Sequence, residues 1–411
     1  MEYNKYLNQL PDPSELIEKH RFDGNVPEVN GHLHSPWSFC PFNNINQMFE
    51  MAGQEKIKAI GINDFYTLDG YSDFGENAFR TGIFPLFNIE FMGLMQDLQS
   101  KDILVNDPNN PGRIYFSGKG LKHPAAIGEN SRKFLGDLQE NSLKQVKEMC
   151  QKTNAWLEEI SAPFGLDYEE VKDKYAKELV RERHIARAIR EAVFGYFDTD
   201  PKRKDFFEKL FGGKKIQASL NSIDEIENEI RSVLLKIGGK AFVPEDSAAF
   251  PDLSQIIDFI LDAGGIPCYP VLLDDKNGNI TAFEEDWERM HAIFQGFGVS
   301  CLELIPHRNS LEKLDEFVKF FVKKNYVISF GTEHNTPGIY PISVKVEKDR
   351  ELTAELKKIS YQGVCVIAAH QYFVARGKEG FIDGKGKAKL DNQDYFQDLG
   401  HAVIREFTIS N

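Results

Sequence analysis

Apolar runs and amphipathic stretches take turns along much of this chain, and that alternation restricts its fold more than any other feature. "LSQIIDFILDAGG" carries apolar residues at helical spacing and ends on glycines, and "IPCYPVLL" follows with strand composition. The order repeats in "WERMHAIFQGFG" then "CLELIP", and again in "LEKLDEFVKFFVKKN" then "YVISFGTEH". Nearer the N-terminus, "IKAIGIND", "IFPLFNIEFMG" and "RIYFSGKGL" read as strands. Strands separated by helices pair in parallel through helical crossovers, so the expected class is α/β, as a barrel or an open sheet.

From about Asn130 to Gly239 the pattern changes to nearly unbroken helix: "SLKQVKEMCQKTNAWLEEI", "YEEVKDKY", "RERHIARAIREAVF" and "SIDEIENEIRSVLLKIG". We read an all-α subdomain at 128–242, inserted between a first barrel segment (1–127) and a second (243–345). Its charged residues are expected on solvated faces, and His184 as a packing or capping histidine. The remaining 346–411 form an extension in which "GVCVIAAHQYF" reads as a buried strand run ending on His370, and "RGKEGFIDGKGKAK" as a loop. A lid over the mouth or a dimer contact would both suit it.

The balance of 49 basic against 63 acidic residues gives a net charge of −14. A broad nucleic-acid or anionic-membrane surface is not expected of such a chain, although a small basic pocket is compatible with it. The start lacks a signal peptide's basic cap and apolar core, no run approaches a membrane span, and the five cysteines lack CxxC spacing. Reduced thiols in a cytoplasmic protein are the expectation.

At the end of the first apolar run, "VNGHLHSPWSFC" places His32 and His34 one residue apart. On a strand, side chains at i and i+2 share a face, so the two imidazoles are able to meet one ion. In barrels, ligands collect at strand C-termini. Those ends carry Asp64 in "GINDFYTLDG", Glu90 in "FNIEFMG", Tyr269 in "IPCYPV", Glu303 with His307 and Arg308 in "LELIPHRNS", and Glu333 with His334 in "FGTEHNTPG".

The order of these motifs over roughly residues 28–345 resembles the PHP (polymerase and histidinol phosphatase) family. It is most similar to a branch of nucleoside bisphosphate phosphatases and exoribonucleases that has an inserted helical subdomain. That branch carries an "RxHxARAL"-like segment, here "RERHIARAI", and then a "yVP" element, here "AFVPED". The resemblance implies a distorted (β/α)7 TIM-like barrel and metal-dependent phosphoester hydrolysis. It assigns a first metal site to His32, His34, Glu90 and Glu333, the last replacing the family's aspartate. The positions of the second site hold Tyr115 and Tyr269, and those of the third hold Phe39 (or Cys40), Phe65 and Asn335. The second and third sites are therefore emptied, and the expected cofactor is one divalent transition metal: zinc, manganese or iron.

A single ion lacks a second metal's clamp on the leaving oxygen, so cationic help is expected from Arg308, with Lys119 or Lys122 as further candidates. Tyr115, Tyr269 and Phe65 are expected to line the substrate pocket. His307 is the candidate general acid or base. Asp64 is expected to orient a ligand histidine or a water, and His334 to supplement Glu333. His123 is expected to be structural, and so is His370, although its place after an apolar run also allows it at the mouth. The expected activity is hydrolysis of a phosphoester in a small anionic substrate. Two alternatives remain open: a one-metal sugar-acid or amide-processing enzyme, and a catalytically silent protein that keeps the fold. A basic cradle, an aromatic pocket poor in cations, or a plugged mouth would distinguish the three.

Overall fold

Seven strands join in chain order into one nearly closed, barrel-like sheet: β1 (Val29–Leu33), β2 (Ala59–Phe65), β3 (Phe84–Leu94), β4 (Arg113–Lys119), β5 (Ile266–Val271), β6 (Cys301–Leu304) and β7 (Val327–Phe330). The structure is a computed structural model that describes residues 3–244, 249–275 and 277–410. Glu245 and Asp246, the end of the "AFVPED" segment, lie outside the described residues. Strands β1, β2, β5, β6 and β7 are buried along nearly their whole length, because helices cover the outside and side chains fill the inside. The class is mixed α/β, with helices such as Ile45–Gln54, Tyr71–Thr81, Leu253–Asp262 and Leu311–Lys323 returning the chain between strands.

One strand departs from the parallel expectation. β4 pairs antiparallel with both β3 and β5. The link from β3 to β4 contains only the single helical turn Gln96–Gln99, too short to carry the chain back along the sheet, so the strand returns beside its predecessor. The C-terminal end of β4 thus lies deep in the barrel rather than at its mouth.

β1 and the segment after β7 close the ring. Glu333 N donates to His32 O at 2.9 Å, and His34 N donates to Glu333 O at 2.9 Å. Glycine is required here: a Cβ on Gly331 would lie 2.4 Å from the Cβ of His32. The close approach of the two backbones brings Glu333 to the histidine pair.

The helices from Glu129–Glu159 to Ile223–Ile230 enclose a second apolar cluster, built from Ile185, Ile189, Val193, Phe207, Leu210 and Ile226. Helix Glu129–Glu159 belongs to both cores, with Leu135 and Leu138 on the barrel side and Val146 to Leu157 on the other. His184 is buried and its Nδ1 accepts from Arg181 N at 2.8 Å, capping helix Glu182–Tyr196.

The tail corrects the sequence reading. "GVCVIAAHQYF" is the middle of the 22-residue helix Ala354–Ala375, not a strand. It is enclosed on nearly every side, so it shows no polar stripe, and an apolar run of that kind does not reveal its period. The helix crosses the end of the barrel where strands begin. Gly363 packs on the backbone of Ile328, Gln371 Oε1 accepts from Phe87 N at 2.8 Å, and His370 Nε2 donates to Gly264 O at 2.7 Å. His370 therefore sits opposite the mouth, and this helix is no lid. Among the described residues, no helix is long and apolar enough to cross a membrane.

Candidate metal centre

Alternation along β1 turns His32 and His34 to one side, with 3.4 Å between their Nε2 atoms. Glu90, on β3, brings Oε2 to 3.4 Å from His34 Nε2. Glu333 arrives from the turn after β7. The four side chains offer ligand atoms that all lie within 4.8 Å of one another, the one such group among the described residues. Two imidazole nitrogens and two carboxylates form a donor set suited to zinc, manganese or iron, so the residues fit the metal that the motif implies.

The backbone that delivers Glu333 is unusual. Glu333 and His334 have φ of 67° and 53°, two consecutive non-glycine residues in the left-handed region. The closing hydrogen bonds to β1 hold this turn, and conformations of this kind gather at functional sites.

His334 does not supplement the cluster. Its Nδ1 pairs with Thr332 Oγ1 at 2.8 Å, its Nε2 with Tyr340 O at 2.9 Å, and its ring stacks on Tyr340. With both nitrogens engaged, it braces the turn. Asp64 is also a brace: its oxygens accept from Ser35 N at 2.7 Å and Ser35 Oγ at 2.5 Å, fixing the turn after His34. Burial pushes its carboxyl up to about 6.

Beneath the four side chains lies a polar layer. His32 Nδ1 is 2.8 Å from Glu303 Oε2, and Ser117 Oγ donates to Glu303 Oε1 at 2.5 Å. Lys119 Nζ also donates to Glu303 Oε2, and to Asn63 Oδ1 at 2.9 Å. Burial alone would raise the Glu303 carboxyl, but Lys119 and His32 hold it well below its ordinary range. Lys119 is thus no substrate ligand. The antiparallel course of β4 carries it to the barrel floor, fully buried.

Above the four side chains opens a cavity of about 330 Å³. Phe39, Phe65, Tyr115, Arg308 and Asn335 line it, and Arg308 pairs with Glu333. Tyr269 does not reach it: alternation along β5 turns its ring outward onto Phe283 and Phe294, and its hydroxyl donates to Glu284 at 2.8 Å. His307 is not in the lining either. It is exposed, on the short 3-10 turn Pro306–Arg308, which turns Arg308 inward and His307 away.

The helical insertion contributes what the sequence reading assigned to solvent. Arg181, Glu182, Arg183, Arg231 and Lys236 all line the cavity. Arg231 and Lys236 hold Glu182 at about 2, against the opposing effect of burial. Arg181 stacks over Phe65, with 4.2 Å from its guanidinium carbon to the ring centre, and donates to Ser142 Oγ at 2.9 Å. Burial and then the neighbouring Arg231 bring Arg183 down to about 9, still charged at neutral pH. With Arg113 and Arg308 the lining holds six cations against three carboxylates, so the mouth is basic in a protein of net charge −14. The dense "RERH" run was the available signal for Arg181, Glu182 and Arg183.

No family model and no curated protein matches this chain. Solved structures do. A protein from Bifidobacterium adolescentis described as a metal-dependent phosphoesterase is 16% identical, with a TM-score of 0.52 over 82% of this chain and 96% of its own. An amidohydrolase from Chromobacterium violaceum, with bound sulfate and no metal, is 14% identical, with a TM-score of 0.52 over 81% of this chain and 96% of its own. The likeness is one of fold, a barrel-like α/β arrangement.

Proposed function

We propose that this protein is a metal-dependent phosphoesterase of PHP type that holds one divalent metal and cleaves a phosphoester in a small anionic substrate. The observation that carries the reading is a converging set of two histidines and two glutamates directly below a basic cavity. His32, His34, Glu90 and Glu333 hold the ion. A bound divalent cation supplies Lewis acidity toward oxygen and lowers the pKa of water.

The chain's own groups do the rest. Arg308 lies against Glu333 at the edge of the ligand set, so its guanidinium meets a substrate anion beside the reacting centre. Arg181 and Arg183, which have no carboxylate partner among the described residues, neutralise charge further up the wall. Burial raises the Tyr115 hydroxyl, so it stays protonated and acts as a neutral donor over the whole working pH range. The aromatic side of the cavity, Phe39 with Phe65 and Tyr115, suits the uncharged part of a substrate. It is also what supports the alternative, amide or sugar-acid chemistry. Six lining cations weigh for the phosphoester.

The test is hydrolysis by protein loaded with zinc, manganese or iron, assayed on parallel panels of small phosphomonoesters and small amides, with Glu90→Ala as control. Metal-dependent release of phosphate, absent in the variant, is the expected outcome. Cleavage of amides alone, or of neither panel by metal-loaded protein, would overturn the proposal.

A further inference from the structure

We propose that the buried pair Lys119–Glu303 is a positioning device that keeps the proton of His32 on Nδ1 and leaves its Nε2 bare toward His34, Glu90 and Glu333. This rests on the metal reading and adds to it how one ligand is set.

An imidazole presents a lone pair from one nitrogen only when its proton is held on the other. Nδ1 of His32 lies 2.8 Å from Glu303 Oε2, and an ionised carboxylate only accepts, so the hydrogen belongs on Nδ1. Nε2 is the nitrogen that faces His34, 3.4 Å away. Glu303 has no freedom to turn aside. Ser117 Oγ donates to its Oε1 at 2.5 Å, and Lys119 Nζ lies on Oε2. The same ammonium donates to Asn63 Oδ1 at 2.9 Å, and the amide nitrogen of Asn63 lies beside the ring, 3.1 Å from His32 Nε2 and 3.3 Å from Nδ1. Lys119 therefore holds Glu303 and Asn63, two of the ring's polar neighbours.

Stability gives no reason for such a pair. The side chains of Lys119 and Glu303 are 0% and 1% exposed. Desolvating two ions costs about what their attraction returns, and well-packed apolar residues of similar volume do as well or better. Barrel interiors are ordinarily filled by branched apolar side chains. Carboxylates that accept from the far nitrogen of a ligand histidine fix its orientation and tautomer.

The experiment compares wild type with the double variant Lys119→Met/Glu303→Leu, which removes both charges together and leaves no unpaired ion to unfold the barrel. Long-range ¹H–¹⁵N spectra of metal-free protein at neutral pH, with His32 assigned from its loss in His32→Gln, report which nitrogen carries the proton. Zn²⁺ affinity is measured by titration calorimetry. Expected are an Nδ1–H tautomer in wild type, a mixture or Nε2–H in the double variant, and Zn²⁺ affinity reduced on the order of 10–100-fold. An Nε2–H tautomer in wild type overturns the proposal without reference to any variant. So does a folded double variant with unchanged tautomer and affinity. If wild type binds no Zn²⁺, the metal reading fails, and the tautomer comparison still decides this one.

Discussion

Below the histidine–glutamate cluster the barrel encloses Asn63, Asn88, Ser117, Lys119 and Glu303, whereas the helical insertion encloses Ile185, Ile189, Val193, Phe207, Leu210 and Ile226. Both interiors are closed to water. The insertion's is apolar apart from a few groups such as Glu227, which Arg190 meets at 2.8 Å. Buried polar groups lose hydration and recover it only where every partner is in place, so a polar interior is a demanding way to fill a barrel. The contrast assigns different work to each region. The helical core supplies stability through area removed from water, and the barrel gives up some of that to a polar layer under His32, His34, Glu90 and Glu333. The insertion's contribution to function lies on the face that it turns to the cavity.

The comparison breaks most visibly if each interior is damaged in turn. Lys119→Met alone leaves Glu303 buried without its cation, and should cost roughly 3–5 kcal/mol in denaturant unfolding. A loss under about 1 kcal/mol would mean that the polar layer is open to water. Phe207→Ala in the helical core should cost about 3 kcal/mol or more through the cavity that it leaves, while metal content per chain stays unchanged. If that variant also lost metal, the two regions would not be separable in function.

Smaller effects test the face toward the cavity. Arg183→Gln removes a charged donor without a carboxylate partner among the described residues, so inhibition by inorganic phosphate should weaken on the order of tenfold, with folding stability nearly unchanged. A further effect concerns pH. The folded-state carboxyl of Glu182 is depressed to about 2 from an ordinary 4.5. Its stabilisation is present above pH 4.5 and is lost as pH falls toward 2. Glu182→Gln should flatten the acid side of the stability curve over that interval, as read by urea midpoints, and an unchanged slope would separate Glu182 from Arg231 and Lys236.

Much of the barrel was legible because burial on both faces writes strands as apolar runs and their helices as periodic ones. The convergence of His32, His34, Glu90 and Glu333 was legible because they stand at strand ends in polar chemistry that such runs otherwise exclude. What escaped was direction and facing. Nothing in "RIYFSGKGL" states that the strand runs backward, so Lys119 seemed to stand at the mouth. Tyr269 and His307 sit one residue from groups that do face the cavity, and a one-residue change of facing is invisible without the sheet's register. Glu303 was noticed at a strand end, but its role depends on Lys119 and His32, which come from two other strands. The insertion's arginines looked like solvated helix surface because the element they face is distant in sequence.

If His32, His34, Glu90 and Glu333 together hold one ion, elemental analysis of metal per chain should find close to one transition metal in wild type and none in His32→Ala or Glu90→Ala. Two or more metals in wild type, or a metal that survives both substitutions, would rule out a single ion on these four side chains.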